Sequence, residues 1–297
     1  STQGVSSAAS DVYKRQNQGV DFVGGRSYIV RFEQPVPQEK IQSNLIKVLG
    51  NAEVKTFGSD NQLKITTNYK VDVDSSDIDD EINNILYSDL IQFMPENIAF
   101  EDFVVNGDEN KQAGVMSSIK VGPTIADDIK KNSFYAVFGS LIIVFLYILL
   151  RFKNWQFSLG AVSAVFHDVL VVLGIFSLTY SFMPFNMEIN QAFIAAVLTV
   201  IGYSLNDTVV VFDRIREYRN INTSWELPKI VDSALNSTLS RTLNTSFTTL
   251  VVLISIFVFG GESIRGFMFA LIIGVLIGTY SSVFVATPVM YDTLKKK

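Results

Sequence analysis

An aspartate stands inside a run of residues that otherwise belongs in a bilayer. Residues 192–212 read AFIAAVLTVIGYSLNDTVVVF and carry Asn206 and Asp207 among apolar side chains. The run is long enough for a helix to cross a hydrocarbon layer of ~30 Å. A charged aspartate at such depth costs roughly 2.5–3.5 kcal/mol on insertion scales, so it is rarely present without a partner or a purpose. Tyr203 and Ser204 lie one turn earlier on the same face and extend the polar spot. A carboxylate in this setting can load and release a proton. The plainer alternative is a residue tolerated near a helix end. Asp213, Arg214 and Arg216 follow at once and mark an exit into water.

Two further sites carry charge in apolar surroundings. Asp168 sits near the centre of a second apolar run, with Gly160 and Ala164 on its face and His167 about 100° around the helix. A histidine and a carboxylate at midplane can relay protons, because histidine titrates near neutral pH. A buried network that only joins helices fits the same residues. Arg241 opens a later run, and Thr245 and Thr249 continue its face at spacing four; Asn244 and Thr248 form a parallel row. If Arg241 faces Asp207, its approach favours the charged carboxylate while desolvation favours the neutral one. Moving the arginine between near and far would then couple proton loading to a change of shape. Arg241 could instead be an ordinary cation at a helix end.

The elements that must hold these residues are apolar helices. Five membrane segments are expected near 134–150, 155–182, 192–212, 242–259 and 264–289. In the last, Gly266, Ala270, Gly274, Gly278, Ser282 and Ala286 recur at spacing four. A stripe of small residues lets another helix approach closely, within the chain or from a partner. Arg151 with Lys153, then Arg214, Arg216 and Arg219, then the terminal lysines fall on alternate loops, which the positive-inside rule places in the cytoplasm.

Residues 17–133 differ in kind. They hold 19 Asp and Glu against 11 Lys and Arg, a net of −8, whereas 134–297 hold 9 and 11. The alternation of Tyr28, Val30 and Phe32, the helical spacing over 37–49 and 76–93, the strands at 52–57 and 62–68 around a turn at 58–61, and a strand at 97–105 give the order β-α-β-β-α-β. That order suggests a ferredoxin-like α+β domain. Residues 115–123 look like a strand-like tail. By orientation this domain lies outside the cytoplasm. A domain exported ahead of a helix calls for an earlier anchor, so a transmembrane helix is expected upstream of residue 17. Residues 1–16 match nothing after them and read as a cloning or assembly scar. The fold class is therefore an α-helical polytopic membrane protein with an exported α+β domain.

The chain contains no cysteine and one histidine, so thiolate chemistry is excluded and a multi-histidine metal site is not expected. It has no GxxxxGK[ST], G-x-S-x-G or H-E-x-x-H motif. No hydrolytic site and no cofactor is expected; protons are the candidate coupling ion.

Six motifs in order then carry a resemblance. They are GVDFVGG at 19–25, VGP at 121–123, GYSLNDTVVVFDRIRE at 202–217, LSRTLNTSFTT at 239–249, and FGGESIRG at 259–266 followed by GTYSSVFVA at 278–286. Together they resemble the SecD/SecF family of bacterial protein-export membrane subunits, on its SecF side, within the resistance-nodulation-division superfamily. The resemblance implies six transmembrane helices per subunit, against five here, and a SecD partner that is separate or fused. It also implies action beside the SecYEG channel and the SecA ATPase on unfolded preproteins, driven by the proton-motive force across the inner membrane. In the family the aspartate of GYSxND and the arginine of SRT are implicated in proton transport; those positions are Asp207 and Arg241. The His167-Asp168 pair also matches, with a less defined role. Two other readings use the same residues: a proton-coupled small-solute exporter of the superfamily, and a non-transporting scaffold of the translocon.

Overall fold

The structure, a computed structural model, describes residues 18–73, 76–96, 98–104, 111–180 and 182–295. The stretch 1–16 lies outside them. The described chain divides into two compact units. One holds the residues up to Asn132 together with Tyr180–Gln191 and Gly261–Ser263; the other holds Ser133–Thr179, Ala192–Gly260 and Ile264–Lys297.

The first unit is an α+β domain. Its elements are α1 (Val20–Val23), β1 (Gly25–Arg31), α2 (Gln38–Leu49), β2 (Glu53–Phe57), β3 (Ser59–Thr67), α3 (Ser76–Leu90), α4 (Phe100–Phe103) and β4 (Gly114–Val121). The strands pair antiparallel in the order β2-β3-β1-β4, the arrangement of a ferredoxin-like sheet. Tyr28, Val30, Leu63 and Ile65 alternate inward from the two central strands. They meet Ile41, Leu45 and Leu49 of α2 and Ile82, Leu86 and Leu90 of α3 in one core. Gly25 has φ +132°, and a Cβ there would lie 2.5 Å from the Thr67 carbonyl oxygen, so only glycine lets β1 start this close to β3. Arg26, buried beside it, pairs with Asp79 of α3.

Two local expectations fail here. Residues 98–104 contain the short helix α4 rather than a strand; Asn97 and Val105 lie outside the described residues. The fourth strand is β4, the stretch read above as a tail, and it completes the sheet by pairing with β1. The β2–β3 turn is also tighter than a four-residue loop. It rests on Gly58 at φ +82°, with Phe57 opposite Ser59.

Among the described residues, the membrane unit has five helices long and apolar enough to span a bilayer. They are α5 (Pro123–Phe152), α6 (Trp155–Thr179), α7 (Gln191–Ile221), α8 (Leu227–Phe259) and α9 (Glu262–Ser281), the last continued by a π-helical turn at Ser282–Ala286 and by α10 (Thr287–Lys295). Four of the five run past their apolar stretches. The polar stretch ahead of the fourth segment is the first half of α8, with Pro228 in its opening turn, where a missing N–H costs nothing. Only α6 ends early, at Thr179.

The small-residue stripe packs inside the chain. A Cβ at Gly274 would lie 2.0 Å from Val200 Cγ2 of α7, and one at Gly278 would lie 3.1 Å from Ser204 Cβ. Ala270, Ser282 and Ala286 are buried, while Gly266 is half-buried. On α6, a Cβ at Gly160 would meet the Ala286 carbonyl oxygen at 2.6 Å. That neighbour is backbone and cannot rotate away. Gly160→Val is therefore expected to destabilise the membrane unit by about 1–3 kcal/mol through overpacking. Gly174→Ala, with open space around it, is expected to gain ~0.5–1 kcal/mol of helix stability. Thermal unfolding of the two variants in detergent checks the contrast; equal effects would contradict it.

Candidate functional site

The polar groups of the membrane unit gather into two adjoining clusters, both touching α7. The first is centred on Asp168 of α6, which is completely buried. Ser204 Oγ of α7 donates to its Oδ2 at 2.6 Å, Ser281 Oγ of α9 donates to the same oxygen at 2.7 Å, and His167 Nδ1 lies 3.1 Å from Oδ1. Both carboxylate oxygens thus have partners, and three helices meet on one side chain. Glycine at 160 and alanine at 164 allow this approach, as the shared face of α6 requires. Ser281 closes α9 just before the π turn, where Thr287 Oγ1 donates to the Ser282 carbonyl at 2.9 Å. Such turns offset a helix by one residue and are frequent at functional positions.

The second cluster is centred on Asp207, 3% exposed, with its Oδ2 buried and unbonded. The Arg241 guanidinium and the Ser246 hydroxyl both act on this carboxylate. Among the described residues, no ion pair closes between Asp207 and Arg241. Ser246 is tied to α9 through Thr279 Oγ1 at 2.5 Å, and Tyr203 donates to Ser246 Oγ at 3.4 Å and to Thr249 Oγ1 at 3.5 Å. Thr242, one turn before Ser246 on the buried face of α8, is 2% exposed and has an unbonded oxygen, Oγ1.

The structure redistributes the expected residues. Tyr203 and Ser204 share a turn with Asp207 but serve different clusters: Ser204 binds Asp168, and Tyr203 reaches across to α8. Asn206 is exposed. On α8 the buried face is Thr238, Thr242 and Ser246, one residue around from the expected row. Arg241 is exposed; Thr245 turns its hydroxyl to the Arg241 carbonyl at 3.0 Å, and Thr249 turns its own to the Thr245 carbonyl at 2.9 Å. This self-bonding is the usual resolution for threonine within a helix. Ser246, Thr279 and Ser281 were missed because each stands in a run of several hydroxyl residues, 242–249 and 279–282, and nothing local marks which of them another helix will meet. The basic run after Asp207 also ties helices together. Asp213 pairs with Arg151 of α5 at 3.0 Å and with Arg216 at 2.9 Å, and Arg214 Nε donates to Ser237 Oγ of α8 at 3.1 Å.

Residues 103–296 match the family described as protein export membrane protein SecD/SecF, C-terminal, and residues 17–36 match the SecD/SecF GG motif. The chain belongs to the SecD/SecF family. It is 45% identical to the protein translocase subunit SecF of Rhodothermus marinus over 92% of this chain and 82% of that protein. Against the SecF of Vibrio alginolyticus the identity is 38%, over 91% and 78%. The crystal structure of SecDF, a translocon-associated membrane protein from Thermus thermophilus, superposes with a TM-score of 0.77 at 30% identity. It is matched by 98% of this chain, which spans 36% of that longer one. The SecD/SecF GG motif covers Gly24 and Gly25, where the backbone takes positive φ and enters β1 beside β3. Both clusters fall within the SecD/SecF C-terminal match.

Proposed function

We propose that this chain is an accessory subunit of the Sec protein translocase that uses the proton-motive force to promote late translocation and release of preproteins. In this reading it works with SecD, beside SecYEG, on unfolded chains already pushed by SecA. The α+β domain lies outside the cytoplasm, since the Arg- and Lys-rich loops mark the other side of the inner membrane. Asp207 is the proton-carrying group, and the role of the chain is coupling rather than hydrolysis.

One observation carries the reading: Asp207 is buried with an unbonded carboxylate oxygen, within electrostatic reach of an arginine that forms no ion pair with it. A structural pair would be closed. Asp168, by contrast, has hydrogen-bond partners on both oxygens, two serine hydroxyls on Oδ2 and His167 on Oδ1. We therefore assign Asp168 and His167 the supporting part, as the joint that fixes Ser204 one turn from Asp207.

Arg241 supplies the test. Vesicles containing the full-length protein with SecD and the channel would be scored for proton entry and precursor export together. Arg241→Gln is expected to lower both by about tenfold or more, and Arg241→Lys to retain a substantial part, since the role is that of a positive charge. Wild-type values for Arg241→Gln would sink the proposal. Efflux of a small molecule in place of precursor export would favour the exporter reading.

A further inference from the structure

We propose that Lys64, Glu188 and Asp21 are positioning residues that anchor the start of α7 to the sheet of the α+β domain, forming a strut through which movement of the Asp207 helix reaches that domain. The inference rests on the proton-coupled reading above.

The segment Tyr180–Gln191, which leads into α7, belongs to the compact unit of the α+β domain. Lys64 of β3 donates to Glu188 Oε2 at 2.5 Å, and the pair is nearly buried, with side chains 15% and 5% exposed. Lys64 stands directly opposite Lys55 in the β2–β3 ladder. Like charges in that position oppose each other, so the lysine needs a counter-charge, and Glu188 provides it. Gly19 leaves room for this carboxylate: a Cβ there would lie 3.2 Å from Glu188 Oε2. The Gly19 amide donates to the Ile189 carbonyl at 3.0 Å, and Gln18 bridges Ile189.

Asp21 completes the anchor. Its Oδ2 accepts the backbone N–H of Gln191, the first residue of α7, at 3.0 Å. A carboxylate at this place satisfies an orphan amide and suits the helix dipole, the task of an ordinary N-cap. Here the cap comes from 170 residues away in sequence. The neighbouring helix is held too: Glu262, the first residue of α9, accepts the Asn186 amide at 3.0 Å, and Asn186 Oδ1 accepts the Glu188 amide at 3.1 Å. A loop needing only internal order would use partners near in sequence. This one is bonded to the stretch before β1, to a central strand and to the start of α9. Its two ends continue into α6 and α7, the helices of Asp168 and Asp207.

The test uses the full-length protein with its SecD partner and the translocase in vesicles, with proton entry and precursor export recorded on the same sample. Lys64→Glu faces Lys55 favourably and so keeps the sheet, but it repels Glu188. It is expected to lower export about tenfold, within the 5–150-fold range of coupling between sites, while proton entry stays near wild type. Adding Glu188→Lys should restore export. Because the chain has no cysteine, Lys64→Cys with Glu188→Cys can be joined selectively by a short bifunctional thiol reagent, and export should survive the crosslink. Wild-type export in Lys64→Glu, parallel loss of both signals without rescue by the charge swap, or export blocked by the crosslink would each overturn the strut. Absence of proton entry in the wild type would instead defeat the proton-coupled reading, and this inference with it.

Discussion

Asp207→Asn is expected to abolish proton entry and the proton-driven part of export, lowering both by at least about tenfold, while the protein still folds and assembles. Asparagine keeps the size and polarity of the side chain but cannot exchange a proton near neutral pH. Folding should survive because the Asp207 Oδ2 has no hydrogen-bond partner, Ser204 and Thr208 beside it are bonded elsewhere, and the asparagine carbonyl can still face the Ser246 hydroxyl. Removing the charge also relieves the desolvation of a carboxylate in a bilayer. A variant as stable as wild type, or more so, yet inactive would be the signature of a functional rather than structural aspartate. Unaltered proton entry and export would remove Asp207 from the mechanism.

Asp168→Ala should behave in the opposite way. It breaks two hydrogen bonds that join α6 to α7 and to α9 and leaves the Ser204 and Ser281 hydroxyls without that acceptor. Interhelical hydrogen bonds in membranes average about 0.6 kcal/mol and reach about 1.7, so the expected loss of stability is about 1–3 kcal/mol. Asp168→Asn retains a carbonyl acceptor for both serines and is expected to keep most of the stability and of the proton entry. Thermal unfolding in detergent, paired with proton entry in vesicles, separates the outcomes. A stable Asp168→Asn protein that conducts no protons would make Asp168 a relay station.

The two aspartates looked alike in the sequence because each is a carboxylate in an apolar run. What distinguishes them is set by other helices. Ser281 lies 113 residues from Asp168, and no local pattern announces that it will donate there. The apolar runs themselves were plain, since burial in lipid imposes length and composition on a segment. Their ends were not: in α8 the polar stretch before the membrane segment continues the same helix. The face of α8 was misplaced by one residue, because Arg241, Thr245 and Thr249 form as regular a row as Thr238, Thr242 and Ser246, and only packing decides which row is buried. In the α+β domain the alternation of Tyr28, Val30 and Phe32 led directly to the core. The stretch around Glu101 and Asp102 misled, since a short apolar run with acidic residues fits a strand or a single helical turn equally well. The true fourth strand, β4, carries exposed Ile119 and Lys120 on its outer half, which weakened the alternation that marks a strand.

The central claim is that Asp207 takes up and releases the translocated proton. Infrared difference spectroscopy of the reconstituted protein, stepped from neutral to acidic pH, observes this directly through the carbonyl band of a protonated carboxyl group. The account predicts a band that appears on acidification, is absent in Asp207→Asn and persists in Asp168→Asn. A band unchanged in Asp207→Asn and lost in Asp168→Asn would contradict it and move the proton to the buried joint between α6, α7 and α9.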